Sequence, residues 1–184
     1  IKLLYQKLNI SFNGNKAHLY LFIDDDVITP GPYTYHHEWF RDGAYMVTAL
    51  QKMGFLSEAE RILLHYKDKQ RGDGYFVSQE GEWDSNGQAL WTYYQHYLYT
   101  RDRIFLEKIY DSAWHGYVWL RKNRDRKTGL LPAGYSAEHF GPNDTFYWDN
   151  FWGLAGMKGV WVMAKELGKQ KDADEILREC EDYY

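Results

Sequence analysis

"RDGAYMVTALQKMGFLSEAERILLHYKDKQ", residues 41–70, decides the fold class. In its first half Ala44, Val47, Leu50 and Met53 fall on one stripe of a helix, and Gly54 supplies a stop. In its second half the spacing predicts a helix that starts after Ser57, with Glu60 three residues on completing a capping box. Ala59, Ile62, Leu63 and Tyr66 form the apolar face of that second helix. Two amphipathic helices joined by a short turn make a helical hairpin.

The same unit recurs downstream. "QALWTYYQHYLYT" (88–100) is followed by "RIFLEKIYDSAWHGYVWLRKNR" (103–124), with Ile104, Ile109, Ala113 and Val118 among its apolar positions. "DNFWGLAGMKGVWVMAKELG" (149–168) is followed by "QKDADEILRECEDYY" (170–184). Between the units lie two long loops, residues 71–87 and 125–148; the first is rich in glycine and acid, with a short β-ribbon expected at Tyr75–Val77. Loops of this length in a compact domain usually carry function. The fold class is therefore all-α, about three hairpins in one domain over 1–184. Residues 1–37 form a lead-in segment, helical in part and broken near Gly14, and residues 38–184 form the hairpins. Short turns fall at one end and long loops at the other, so the site is expected at the long-loop end.

Composition narrows the function. The chain has 184 residues, 45% of them hydrophobic, enough for one core. A formal charge of −4 with mixed signs offers no basic patch for nucleic acid. No apolar run reaches the roughly 18 residues of a membrane span, so no membrane partner is expected. One cysteine, Cys180, excludes an internal disulfide framework; the compartment stays open, with the cytoplasm favoured. The chain starts at Ile1 rather than methionine, as if an N-terminal segment had been removed. Eight tryptophans and seventeen tyrosines bring the aromatic share to 18%. Flat rings with a polar edge suit sugar faces, and the competing reading is an aromatic core.

Each long loop ends where a helix begins, and an aromatic stands beside acids or amides there. The first junction has Trp39, Arg41 and Asp42; the second Trp83, Asp84, Ser85 and Asn86; the third Asp144, Tyr147, Trp148, Asp149 and Asn150. Helix capping explains Asp, Ser and Asn in such places. It does not ask for tryptophan. His36, His37 and His139 raise the question of a metal, yet they show no recognised ligand spacing, so no metal is expected; nor is any other cofactor, since no nucleotide-binding glycine pattern is present. "RGDG" at 71–74 reads as a turn.

"TPGPYTYHHEWFRDGAYM" (29–46), "EGEWDSNGQALWTYYQHY" (80–97) and "GPNDTFYWDNFWGLAG" (141–156) resemble the six-hairpin glycosidases, the inverting enzymes of the glucoamylase, trehalase and processing α-glucosidase group. The resemblance spans about residues 28–168. It implies an α/α toroid of which this chain is the N-terminal half, a fragment or a half-barrel that needs a partner for the rest. It also implies that Arg41 and Asp42 hold the sugar at the cleaved bond and that Asp149, after Trp148, is the general acid; an aspartate there is similar to trehalases and processing glucosidases. Trp39, Trp83, Asp84, Asn86, Glu138, Tyr147 and Trp148 would line the sugar site. The expected substrate is a neutral α-linked oligosaccharide or polysaccharide, cleaved with inversion by two carboxyl groups roughly 6.5–9.5 Å apart. The resemblance supplies no counterpart for the base. Glu138 and Glu38 are the substitutes if the chain is complete. Two other classes stay in view: a non-catalytic sugar-binding helical module, and a toroid of terpene-cyclase type, which the arginine and amides beside the acids disfavour. Lyases and uronyl hydrolases of acidic sugars would need more than one cation at the loop face.

Overall fold

The computed structural model describes residues 5–135, 137 and 139–183. It is predominantly α-helical, and among the described residues none of the helices is long and apolar enough to cross a membrane. The order is α1 (Gln6–Leu21), a two-residue-per-strand antiparallel ribbon β1 (Ile23–Asp24) and β2 (Val27–Ile28), α2 (Phe40–Lys52), α3 (Leu56–His65) and a short 3₁₀ helix (Tyr66–Lys69). Then come α4 (Asp84–Thr100), α5 (Arg103–Asn123), α6 (Tyr147–Glu166) and α7 (Gln170–Asp182).

α4 lies between α2 and α6, and α3, α5 and α7 pack on the helices that precede them. α4 and α6 approach each other at backbone distance. A Cβ on Gly87 would stand 2.2 Å from the Trp152 backbone, and one on Gly156 would stand 2.8 Å from the Gly87 carbonyl oxygen. Only residues without side chains let these two backbones touch. The outer layer is tied by polar contacts as well, Tyr110 Oη donating to Asp172 at 2.9 Å and Tyr117 Oη to Glu175 at 3.1 Å.

Four local expectations change. α3 starts at Leu56 with Phe55 as its N-cap and no side-chain cap, so Ser57 and Glu60 lie inside the helix rather than forming a capping box. Phe55 packs against the core and against Tyr20, and that contact sets the boundary. α1 runs through Gly14 without a break, because a half-buried glycine with open space around its Cβ position costs a helix only about 1 kcal/mol. Residues 75–77 make one isolated bridge, Gln70 with Phe76, in place of a ribbon. Ile104 is 64% exposed rather than apolar-facing. The "RGDG" turn forms as read, with Gly74 at φ 101 and the Tyr75 N–H donating to the Asp73 carboxylate at 3.1 Å.

Much of the aromatic surplus is core: Tyr66, Tyr75, Tyr93, Tyr117, Phe40, Phe76 and Phe105 are fully buried. A second set is exposed near the long loops, including Tyr35, Tyr45, Tyr147 and Phe151.

Candidate active site

The starts of α2, α4 and α6 converge. Their N-cap residues, Trp39, Trp83 and Phe146, are aromatic and make no side-chain cap, while Asp42, Asp84 and Asp149 each sit in the first helical turn. Capping therefore does not account for the acids.

Asp84 is the hub. Its Oδ2 accepts from Arg41 Nε at 3.0 Å, from Gln88 Nε2 at 2.8 Å and from Trp148 Nε1 at 2.7 Å, so residues from all three helices close on one buried oxygen. Arg41 is spent on this frame. Its Nη1 donates to the Ala137 carbonyl oxygen at 2.8 Å and its Nη2 stands 3.7 Å from Glu82. A guanidinium engaged on three sides fixes the loop at 131–146 against α2 and α4. Arg41 also stands on the wall of a cavity beside this frame.

That cavity has a volume of about 420 Å³, and its wall includes Tyr35, His37, Trp39, Asp42, Glu82 and His139 together with Arg41. Trp39, Arg41 and Asp42, grouped at one junction by the sequence, all line this cavity. Burial holds Asp42 above the usual carboxylate range. Glu82 and His139 were missed as site residues. Glu82, 2% exposed, pairs with His139 Nε2 and with Arg41. Its only sequence signal is its place directly before Trp83-Asp84. The histidines read as possible metal ligands have other partners: His36 pairs with Asp24, His37 Nε2 meets the Ser78 carbonyl oxygen at 3.0 Å, and His139 meets Glu82. Among the described residues no group of three His, Cys, Asp or Glu side chains is placed to hold a metal.

Asp149 is not among the residues that line the cavity; it is 2% exposed, and its Oδ2 has no hydrogen-bond partner among the described residues. Its pKa is pushed up to about 7, chiefly by burial, with the charge of Asp84 adding to the shift and Arg41 opposing it. The helix N-terminus, which favours the ionised form, is outweighed. The neighbouring Asn150 anchors the turn: its Oδ1 accepts from the Leu131 N–H at 2.9 Å and from Tyr183 Oη at 3.0 Å, and its Nδ2 donates to the Phe146 carbonyl oxygen at 2.7 Å.

Four expected site residues are absent from the cavity wall. Trp83 lies against Tyr75 and Trp119 with ring centroids 5.5 Å away in each case, and its Nε1 donates to the Ala133 carbonyl oxygen, so it is packing for the long loops rather than a sugar wall. Asn86 is completely buried, its Oδ1 accepting from the Phe76 N–H at 2.6 Å and its Nδ2 donating to the Gly116 carbonyl oxygen at 3.0 Å. Tyr147, 72% exposed, stacks on Phe151 away from the cavity wall. Glu38, the substitute base named from the sequence, lines a different cavity. Trp39 is extended, and in an extended chain neighbours point to opposite sides, so Glu38 leaves the cavity that Trp39 lines and faces a second one. Glu138, the other substitute, lies outside the described residues.

Comparison of the chain with protein-family models, with curated proteins and with solved structures finds no match. Function is read from the site alone.

Proposed function

We propose that the chain is a glycosidase domain that cleaves an α-glucosidic bond of a neutral glucan or oligosaccharide with inversion, and that Asp149 is its general acid. The observation that carries the reading is Asp149 itself, a buried carboxyl with a bare oxygen and a pKa pushed up to about 7, beside the Arg41–Asp84 frame. Such a group keeps its proton near neutral pH and can give it to a leaving oxygen. Asp42 and Trp39 on the cavity wall bind the sugar, while Asp84 and Arg41 position the acid. The packing of α2 with α3, α4 with α5 and α6 with α7 supports three hairpins of an α/α toroid, and the remaining hairpins of that toroid supply the base across the site.

A second reading, a sugar-binding module without catalysis, draws support from Glu82, whose carboxylate is occupied by His139 and Arg41 and so is not free to activate water. One experiment separates the two. Sugar release is measured on α-glucosides, glucans and trehalose, with Asp149→Asn alongside, and saturable sugar binding is followed in parallel. Release abolished in the variant supports the hydrolase. Binding without release in either chain supports the module. Release unchanged by Asp149→Asn removes Asp149 from the reaction.

A further inference from the structure

Glu38 is the one carboxylate of the chain that is both 3% exposed and without a hydrogen bond to either oxygen among the described residues. The nearest cation, Lys69 Nζ, is 3.9 Å away, too far to donate. Burying a carboxylate bare costs several kcal/mol unless something pairs with it; burial pushes the Glu38 pKa up to about 7, so the ionised form above that pH is the one that calls for a cation. The side chain lies within electrostatic reach of the buried Tyr66 and Tyr93 hydroxyls. It lines a cavity of about 450 Å³ on the far side of the 36–39 segment from the candidate active site.

The opposite rim of this cavity is the β1–β2 ribbon, which contributes Asp24, Asp25 and Asp26. Asp26 is taken by Arg61 at 2.8 Å and Asp24 is met by His36 at 3.3 Å. His65 on the wall is occupied by Asp68 at 3.1 Å. Lys69 is then the only lysine or arginine among the wall residues, against four carboxylates. The acidic rim and the bare buried oxygens are independent observations, and both ask for a cation. Three-ligand metal geometry is absent among the described residues. An ammonium group fits better, since it brings N–H donors in several directions to oxygens that lack donors.

We infer that the Glu38 cavity is a binding site for a small molecule carrying a primary ammonium group, held by the Glu38 carboxylate at the floor and by the aspartates of the β1–β2 ribbon at the rim. This inference is independent of the proposed hydrolysis. Because His37 lines both cavities, an occupant here touches the wall of the active site as well.

The test titrates the whole chain with ethylammonium chloride and follows backbone amide NMR shifts around Glu38, Lys69 and His36. Tetramethylammonium chloride, sodium chloride and calcium chloride at matched ionic strength are the controls, and Glu38→Gln is titrated in parallel. Saturable shifts with ethylammonium, absent with tetramethylammonium and weakened at least tenfold in Glu38→Gln, are expected. Asp24→Asn is expected to weaken binding less, and it provides a second readout should Glu38→Gln fail to fold. Shifts that match those in sodium chloride, that persist unchanged in both variants, or that appear with calcium and not with ethylammonium would overturn the assignment.

Discussion

The start of α4 and the start of α6 carry almost the same residues, Trp-Asp-Ser-Asn and Trp-Asp-Asn, and use them differently. At α4 every group is committed: Trp83 packs against both rings of the stacked Tyr75–Trp119 pair, Asp84 accepts three hydrogen bonds, and Asn86 clasps the backbone at Phe76 and Gly116. At α6 the amide does the parallel job, Asn150 catching the Leu131 N–H as Asn86 catches that of Phe76. There the acid is left over. Asp149 keeps a bare oxygen and a raised pKa, and Tyr147 and Phe151 stand exposed beside it. The amides anchor the two long loops, and of the two acids Asp84 is spent on the frame while Asp149 keeps an unpartnered oxygen.

The sharpest way to break this division is at the contact that brings the two helix starts together. Gly87→Ala would drive a methyl into the Trp152 backbone at 2.2 Å, and a loss of about 3 kcal/mol or outright misfolding is expected by urea denaturation. A variant as stable as the parent would mean that α4 and α6 are not in backbone contact. Asn86→Ala comes next. It strands the Phe76 N–H and removes a second donor from the Gly116 carbonyl oxygen, and about 2 kcal/mol of stability is expected to go. A neutral outcome would return Asn86 to the list of free, functional side chains.

Asp149 is expected to move stability the other way. Its folded pKa lies above the unfolded value, so the folded state binds the extra proton between about pH 4 and about 7, and stability falls as pH rises through that window. Glu38, also pushed up to about 7 chiefly by burial, adds to the same slope. Asp149→Asn should flatten the profile and gain about 2 kcal/mol at pH 7. A variant less stable than the parent at pH 7 would show that the carboxylate is satisfied after all. The smallest effect belongs to Tyr147→Ala, expected within about 0.5 kcal/mol because the ring is 72% exposed. A larger loss would place Tyr147 in the fold.

The helices were legible because their apolar spacing is strong and their ends are marked by glycine, as at Gly54 and Gly168. The meeting of α2, α4 and α6 at the long-loop end followed from the alternation of short turns and long loops. What the sequence hid was direction and competition. Glu38 looked like a neighbour of Arg41-Asp42, but the extended backbone at Trp39 turns it to another cavity. Glu82 has no periodic or motif signal, and its role appears only when Arg41 and His139 arrive from 41 and 57 positions away. The capping box at Ser57 lost to the packing of Phe55. Arg41 was legible as a site residue, while its use as a strut for Asp84 and Ala137 was not.

The most direct test of the account is the titration of the Asp149 side-chain carboxyl by carbon-detected NMR, in the parent chain and in Asp84→Asn. The account expects a midpoint near 7 that drops in the variant, because removing the charge of Asp84 relieves the repulsion that helps keep Asp149 protonated. A midpoint near 4 in the parent chain would contradict it, leaving Asp149 an ordinary ionised carboxylate and the proposed acid without its proton.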